Sequence, residues 1–330
     1  MAQSFTFADL FAGIGGMRFA FEKFGGQCVL TSEIDKHARE TYMEQEWAAT
    51  KRHVFVNDVV ELGKMSSEQI PKHDILIGGF PCQPYSIAGL RQGLKDEKGR
   101  GQVFLSIRDV LEKAQPKAFL LENVKGMLSH DSGKTIGYMV KQLEDKGYRV
   151  LEPKMLNSMT HANIPQNRER VFIVGLRDDV KKQTFEFPDE IKLTATLRSK
   201  LQKGKVDDKY FYDERFDCFA EIKKAVVSEE TAYQWRRVYV RENKSNVCPA
   251  LTANMGSGGH NVPLIKVQDG IRKLTPQECA SFQGFPRSFK FPKGMADAHR
   301  YHQLGNSVTV PLIERIAERL AKQLEYFPKQ

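Results

Sequence analysis

The chain has 330 residues, of which 41% are hydrophobic and 28% charged, as in an ordinary globular protein of one large or two modest domains. No apolar run approaches the roughly 18 residues that a membrane-spanning helix needs. Five scattered cysteines without a CxxC pair argue against a disulfide framework or a zinc site and favour a reducing cytoplasm. The formal net charge of +9 favours a polyanionic partner without identifying one.

The first half of the chain alternates short apolar strands with helices. The predicted strands are SFTFADLF, QCVLTSE, HVFVND, DILIGGF, KAFLLEN and RVFIVGL, and helical stretches include IDKHARETYMEQEW, FLSIRDVLEKA and TIGYMVKQLEDKG. Because the strands are apolar on both faces, this pattern predicts a parallel sheet covered by helices. Ligands of such sheets bind at the carboxyl ends of the strands, so the residues after each strand are the functional candidates.

The alternation stops after the sixth strand, where the chain becomes irregular and heavily charged. We interpret residues 179–268 as a smaller inserted module and residues 269–285 as a hinge segment. Residues 286–330 end in an amphipathic helical pattern. We therefore expect them to return to the large domain that begins with residues 1–178.

A glycine-rich turn, DLFAGIGGM, follows the first predicted strand. Gly13, Gly15 and Gly16 allow a tight turn and the close approach of a ligand to the backbone. The dinucleotide fingerprint GxGxxG is not met, because Arg18 occupies the place of its third glycine. By itself, the turn is equally consistent with tight packing and with a cofactor site.

Acidic residues end the next two strands. Glu33 closes the second strand, about where an acid binds ribose hydroxyls in nucleoside-binding sheets, and Asp58 with Val59 follows the third strand. The pair of Asp58 and Val59 would suit the amino edge and the face of an adenine. These ends, together with the glycine turn, suggest a nucleoside ligand bound without phosphate recognition.

Further polar groups follow the later strands. Cys82 lies in the stiff turn GGFPCQPYS after the fourth strand, although a single cysteine is more often buried in apolar packing. Glu122 ends the fifth strand. Gln166, Arg168 and Arg170 alternate in PQNRERVF, so they point to one face that could hold a carboxylate, a phosphate or a base edge, or could simply face solvent.

Six stretches, in this order and spacing, resemble the bacterial DNA (cytosine-5)-methyltransferases. They are DLFAGIGGMRFAFEKFGG, GGFPCQPYSIAG, LLENVKG, PQNRERVFIVG, RKLTPQECASFQGFP and QLGNSVTVP. The resemblance implies an α/β fold, with a Rossmann-like large domain of the class I S-adenosylmethionine-dependent methyltransferases. Into this domain a small, irregular, β-rich target-recognition domain would be inserted.

The same resemblance implies methyl transfer from S-adenosyl-L-methionine to C5 of a flipped-out cytosine in duplex DNA, with S-adenosyl-L-homocysteine as product and no metal. Cys82 is the implied nucleophile, which adds to C6 of the base. Glu122 is implied to hydrogen-bond or protonate N3, and Arg168 and Arg170 to orient Glu122 and the base oxygen. Elimination of Cys82 would release 5-methylcytosine.

The resemblance also implies a cofactor site spread over several motifs. Glu33 would bind the ribose, Ile34 would pack on the adenine, and Asp58 with Val59 would meet the adenine edge. The complete implied set is Phe11, Gly13, Ile14, Gly15, Gly16, Glu33, Ile34, Asp58, Val59, Pro81, Val103 and Asn306.

Two segments are the candidates for DNA contact. By resemblance, residues 84–104 form a loop that closes over the site, and Ser86 and Arg91 in it are candidate phosphate contacts. Recognition of the DNA sequence is expected in the inserted module, where Arg236, Arg237 and Arg241 occur in QWRRVYVRENK. Because arginine pairs with guanine, we infer a short recognition site that contains G·C pairs.

The chain departs from the family pattern at residue 250, where Ala250 replaces the usual threonine ahead of the glycine loop NMGSGGH. This change puts a target-side contact in doubt and leaves the chemistry intact.

Alternative functions remain open at this point. They are a tRNA cytosine-5 methyltransferase, a DNA-binding homologue without catalysis, and a nucleotide-dependent oxidoreductase, which the missing third glycine disfavours. The preferred interpretation is a monomeric cytoplasmic enzyme, the modification half of a restriction–modification pair.

Overall fold

The computed structural model describes residues 4–49, 53–81, 100–182, 184–257 and 261–326. The chain forms two compact units. The first comprises Met1–Leu156, Glu169–Pro188 and Ile313–Gln330, and the second comprises Asn157–Arg168 and Asp189–Leu312.

Strands and helices are numbered here in chain order. The strands are β1 (Phe5–Leu10), β2 (Gly26–Ser32), β3 (Val54–Val56), β4 (Ile75–Gly79), β5 (Ala118–Val124), β6 (Tyr148–Val150), β7 (Lys154–Asn157), β8 (Gln166–Asn167), β9 (Glu169–Arg177), β10 (Phe211–Tyr212), β11 (Tyr233–Trp235), β12 (Val240–Glu242), β13 (Cys248–Pro249), β14 (Leu264–Val267) and β15 (Gly270–Lys273). The α-helices are α1 (Gly16–Glu22), α2 (Lys36–Met43), α3 (Val59–Lys64), α4 (Arg100–Ala114), α5 (Lys134–Glu144), α6 (Ser158–His161), α7 (Phe219–Ala225), α8 (Pro276–Gln283), α9 (Asp297–Asn306) and α10 (Val310–Gln323). Short 3₁₀ turns occur at Glu46–Ala49, Lys125–Met127, His130–Gly133, Arg198–Lys200, Asp208–Tyr210, Lys244–Asn246 and Ala253–Gly256.

The first unit is built on a mixed sheet with strand order β3-β2-β1-β4-β5-β9-β6, and β7 also pairs with β9. Strands β1 to β5 are parallel, as the sequence pattern predicts. The prediction of parallel strands is wrong for β9, which runs antiparallel to β5. The crossover helix α5 precedes β6, whereas β6 and β9 are separated only by the four-residue helix α6 and the short strands β7 and β8. The chain therefore returns without a crossover helix, and β9 runs antiparallel to β6 as well as to β5.

Both faces of this sheet are buried. On one face, Leu10, Leu76 and Leu121 pack with residues of α3, α4 and α5, and all three leucines are fully buried. On the other face, Phe7 packs against Phe21 of α1, with 5.6 Å between ring centroids. This two-sided burial explains why the strands read as continuous apolar runs instead of an alternating pattern.

The second unit contains a five-stranded antiparallel sheet with strand order β10-β15-β14-β11-β12. Its small core includes Ile222, Tyr233 and Leu264. A separate pair, β8 with β13, joins Gln166 to Cys248. An inserted β-rich module is therefore present, although its bounds differ from those expected.

Residues 269–285, expected to be a hinge segment, fall within the second unit, and their role as a hinge stays a prediction. This segment forms β15, which pairs with β10 and β14, and then α8. Residues up to Leu312 also belong to this unit, because α9 packs closely on the chain near residue 252. A Cβ at Gly305 would lie only 2.1 Å from the carbonyl carbon of Thr252.

Arg272 and Glu278 form a buried ion pair at the start of α8. Their side chains are 3% and 0% exposed and share two hydrogen bonds of 2.7 Å. The Glu278 carboxylate also accepts the main-chain N–H of Thr275, completing a capping box. One carboxylate therefore joins the strand, the turn and the helix.

We expect Arg272→Met to lower the free energy of unfolding by about 3–5 kcal/mol, because it leaves the Glu278 carboxylate buried and unpaired. Arg198→Met is the matched control; it removes an exposed pair with Glu229, which should contribute less than about 1 kcal/mol. Urea unfolding measures both values. Equal losses in the two variants would contradict the assigned role of the buried pair.

Candidate active site

The turn after β1 has an unusual backbone. Phe11, Gly13 and Gly15 all have positive φ, at 57°, 56° and 84°. Glycine adopts this conformation freely, whereas a phenylalanine held there costs about 1–3 kcal/mol. Gly15 is further constrained by contact, since a Cβ on it would lie 2.6 Å from the Trp47 ring. The turn is thus strained and glycine-dependent, as backbone that cradles a ligand often is.

Glu33 joins this turn to the end of β2. Its Oε2 accepts the N–H of Gly13 and its Oε1 accepts the N–H of Asp35, both at 2.7 Å. Burial raises the pKa of Glu33, while these two main-chain donors act to lower it. The neighbouring Ile34 side chain is 69% exposed. The Glu33 carboxylate, fixed by two main-chain hydrogen bonds, thus lies next in sequence to the exposed aliphatic side chain of Ile34. A carboxylate suits ribose hydroxyls, and an aliphatic side chain suits the face of a base.

The other residues of the expected cofactor set that lie in the first unit differ in burial and in hydrogen bonding. Asp58 accepts the N–H of Val60 at 2.8 Å and so caps α3. Val59 and Ile14 are 5% and 1% exposed, so their side chains belong to the core, and their expected places at the cofactor stay predictions. Gly16 is buried, Val103 is half-buried against the core, and Pro81 is exposed.

Glu122 and Arg170 form an ion pair at the ends of β5 and β9. Arg170 Nε lies 3.0 Å from Glu122 Oε1, and the side chains are 16% and 10% exposed. Gly79, opposite Glu122 in the neighbouring β4, leaves space for the other oxygen, since a Cβ there would lie 3.3 Å from Oε2. The carboxylate is therefore oriented by a guanidinium at the strand ends.

Asn123 is a positioning residue to which the sequence assigned no role of its own. Its buried side chain donates to the carbonyl oxygen of Phe80 at 3.1 Å, and its Oδ1 accepts the N–H of Val124 at 2.8 Å. It thereby ties the end of β5 to the residue after β4. The only hint in the sequence is an amide directly after Glu122 in LLENV.

Arg168 is buried within the second unit. It is 2% exposed, and its guanidinium donates to the carbonyl oxygens of Leu251 at 2.6 Å, Ser307 at 2.5 Å and Gly305 at 3.2 Å. These bonds brace the second unit. The expected role of Arg168 in orienting Glu122 and the base oxygen stays a prediction.

Asn306 also belongs to the second unit, where it is the last residue of α9. Its side chain is exposed, with Nδ2 at 3.2 Å from His302 Nε2. Its expected role at the cofactor remains a prediction.

The residues expected to contact DNA fall in two groups. In the β11–β12 hairpin, Arg236 directly follows β11, Arg241 lies in β12, and Arg237 has a positive φ of 65° in the turn between the strands. Ser86, Arg91 and the expected nucleophile Cys82 lie outside the described residues.

Arg18 belongs to a buried polar cluster beneath the glycine turn, which sequence reasoning missed. Its guanidinium lies 4.7 Å from the Trp47 ring centroid, donates to the Tyr42 hydroxyl at 2.8 Å and pairs with Glu22 at 2.6 Å. Asp9 lies nearby in β1, and its Oδ2 has no hydrogen-bond partner among the described residues. Burial raises the pKa of Asp9 to about 8, although Arg18 opposes the rise.

Within the described ranges, no three His, Cys, Asp or Glu side chains are placed to hold a metal ion. No helix in those ranges is long and apolar enough to cross a membrane.

The strand order β3-β2-β1-β4-β5, with a glycine turn after β1 and an acid after β2, defines the fold class as that of the class I S-adenosylmethionine-dependent methyltransferases. A family model described as C-5 cytosine-specific DNA methylase matches residues 5–322. The chain therefore belongs to the C-5 cytosine-specific DNA methylase family.

Individual relatives agree with this assignment. Type II methyltransferase M.Bsp6I of Bacillus sp. (strain RFL6) is 44% identical over 320 residues, covering 96% of this chain and 98% of that protein. M.HpaII of Haemophilus parainfluenzae is 34% identical, covering 98% and 91%. Among solved structures, S. pombe Dnmt2 matches at a TM-score of 0.70 with 18% identity, covering 98% of this chain and 99% of that one, which supports the fold alone.

The raised pKa of Asp9 predicts that stability falls as pH rises. The folded protein keeps a proton on Asp9 up to about pH 8, whereas the unfolded chain releases it near the ordinary value of 3.8. The folded state therefore loses stability through the window from about pH 4 to 8. His53 and His73 act in the opposite direction, but only below about pH 6.5, because burial lowers the pKa of each to about 4.

We therefore expect the unfolding free energy of the wild type to fall by about 1 kcal/mol more than that of Asp9→Asn between pH 7 and 8. Urea titrations at the two pH values measure this difference. Asp131→Asn, at an exposed position of positive φ that asparagine tolerates, is the control and should behave as wild type. The same pH dependence in Asp9→Asn and wild type would disprove the prediction.

Proposed function

We propose that this protein binds S-adenosyl-L-methionine and methylates C5 of one cytosine within a short, specific site in double-stranded DNA, acting as a monomer. The observation that supports this most directly is the Glu122–Arg170 pair at the strand ends. Glu122 is paired in register with Gly79 at the end of β4, Cys82 follows Gly79 by three residues in the sequence, and the family assignment supplies the reaction class.

The residues at the first two strand ends fit the cofactor. Glu33 would accept hydrogen bonds from ribose hydroxyls, since main-chain N–H groups already hold its carboxylate in place. Exposed Ile34 would pack against the adenine, and the glycine turn would admit the amino-acid portion. The bound cofactor supplies an electrophilic methyl group.

The chemistry on the base would use Cys82 and Glu122. The Cys82 thiolate would add to C6, because the thiolate is the nucleophilic form. Glu122, oriented by Arg170, would hydrogen-bond or protonate N3 and so neutralise the negative charge that this addition pushes into the ring. C5 would then accept the methyl group, with S-adenosyl-L-homocysteine as the leaving group. Loss of the C5 proton to a base and elimination of Cys82 from C6 would restore the aromatic ring.

DNA recognition would fall to the second unit. A cytosine in a duplex must be flipped out for C5 to be reached, at a cost of a few kcal/mol that protein–DNA contacts must offset. The polar hairpin β11–β12 supports this assignment. The relatives named as type II methyltransferases support a role in protecting host DNA from a partner restriction endonuclease.

Cys82→Ser should abolish methyl transfer, and Glu122→Gln should lower kcat by about 10²–10⁴-fold, because each removes a group that acts on the ring. Tritiated S-adenosylmethionine, mixed-sequence duplex DNA and bisulfite sequencing measure rate and position together. Cys218→Ser is the control and should retain activity, since Cys218 packs in the core region of the second unit.

Label that enters bulk tRNA but not DNA would overturn the DNA substrate. The absence of label in either nucleic acid, from folded protein that binds the cofactor, would favour a non-catalytic DNA-binding homologue.

Glu33→Gln should weaken cofactor binding by about 10- to 100-fold, because a charged acceptor of hydrogen bonds is lost. Isothermal titration with S-adenosyl-L-homocysteine measures the affinity without turnover. Glu44→Gln, at an exposed position after α2, should bind as wild type. Unchanged affinity in Glu33→Gln would remove Glu33 from the proposed site.

A further inference from the structure

The hairpin formed by β11 and β12 has one apolar and one polar face. β12 is an edge strand of the second unit's sheet. Tyr233 and Trp235 pack with the core of the unit. Gln234 alternates with them and so points the other way, and the register pairs it directly with Arg241. Arg236 directly follows β11 and reaches the same side, because its Nη2 donates to Gln234 Oε1 at 3.0 Å. The edge of this sheet therefore presents a polar two-stranded ribbon.

This polar face borders a concavity of about 340 Å³ that lies wholly within the second unit. Its lining is dominated by amides and arginines. It includes Asn167, Gln234, Arg236, Arg241, Ala250 and Asn254. Ala250, the departure from the family pattern, is thus at the wall of this concavity.

Five amide side chains line the concavity, and in three of them the oxygen is occupied by a neighbouring group. The other two, Asn243 and Asn261, donate their NH₂ groups to main-chain carbonyl oxygens. Gln234 Oε1 accepts Arg236 Nη2 at 3.0 Å, and Asn167 Oδ1 accepts Asn157 Nδ2 at 2.7 Å. Asn254 Oδ1 accepts the hydroxyl of Thr252. The NH₂ groups of Gln234, Asn167 and Asn254 donate no hydrogen bond to another described residue, so these three amides offer hydrogen-bond donors.

The arginines add uncompensated positive charge to these donors. Neither Arg236 nor Arg241 has a carboxylate within ion-pair distance in the described part of the chain, whereas Arg198 and Arg215 in the same unit both do. A surface rich in donors and positive charge selects a ligand rich in acceptors. In DNA these are the O6 and N7 edge of guanine and the backbone phosphates.

We propose that Arg236, held in place by Gln234, reads a guanine of the DNA site through O6 and N7; this inference rests on the proposed function. The major groove accommodates a two-stranded β-ribbon, and guanine alone presents two adjacent acceptors there that match the fork of an arginine. The bond to Gln234 reduces the freedom of the Arg236 side chain, which a directional base contact needs and a phosphate contact does not. Arg241 has no such anchor among the described residues.

The experiment selects duplexes from a randomised pool by their binding to the full-length protein, for wild type and variants. Arg236→Lys keeps the charge but removes the fork, so it separates guanine reading from phosphate contact. Gln234→Ala removes only the anchor. Arg215→Gln is the control for net charge, because Arg215 pairs with Asp213 at an exposed position outside the hairpin.

We expect wild type and Arg215→Gln to select one motif with a fixed guanine. Arg236→Lys should select the same motif with that position alone relaxed, and should lose about 10- to 100-fold of discrimination there. Gln234→Ala should relax the same position to a smaller extent. These results would support Arg236 as a specificity residue.

A uniform loss of affinity in Arg236→Lys, with the motif intact, would overturn the inference and assign Arg236 to a phosphate. Selection of a motif by a wild type that methylates no cytosine would overturn the proposed function, while the variants would still decide how Arg236 acts. The absence of any motif for wild type would overturn both.

Discussion

The hydrogen bond between the Gly13 N–H and the Glu33 carboxylate joins the two elements on which the first unit's site depends. It ties the turn after β1 to the end of β2, which are adjacent because the strands are parallel neighbours. The turn donates this bond from a backbone with positive φ at residues 11, 13 and 15, a conformation that is strained at Phe11. The Glu33 carboxylate is thereby fixed beside the glycine turn.

The antiparallel direction of β9 determines which side chain lies next to the end of β5. Because β9 runs antiparallel to β5, Arg170 at its start lies opposite the end of β5 and reaches Glu122. Arg168, only two residues earlier, belongs to the second unit and donates hydrogen bonds to three carbonyl oxygens. Two arginines of one motif thus serve different ends, one orienting a carboxylate and the other holding loops together.

The basic composition of the chain is likewise divided between structure and recognition. Arg18 and Arg272 are buried and paired with the carboxylates of Glu22 and Glu278, which largely cancel their contribution to an external field that attracts DNA. Arg236 and Arg241 lie on an exposed hairpin and have no carboxylate partner among the described residues. Surface arginines of this kind can contribute to such a field. Net charge therefore favours a polyanion only through residues that the fold leaves at the surface.

The sequence by itself determined the strand and helix order of the first unit, the glycine turn, the acid after β2 and the family, because these follow from local periodicity and motifs. The tertiary structure alone decided the direction of β9, the burial of Val59 and the extent of the second unit, including residues expected to be a hinge. It also decided which arginine meets Glu122. Each of these depends on partners far apart in the chain, such as Arg168 with Ser307, and local pattern carries no information about such pairings.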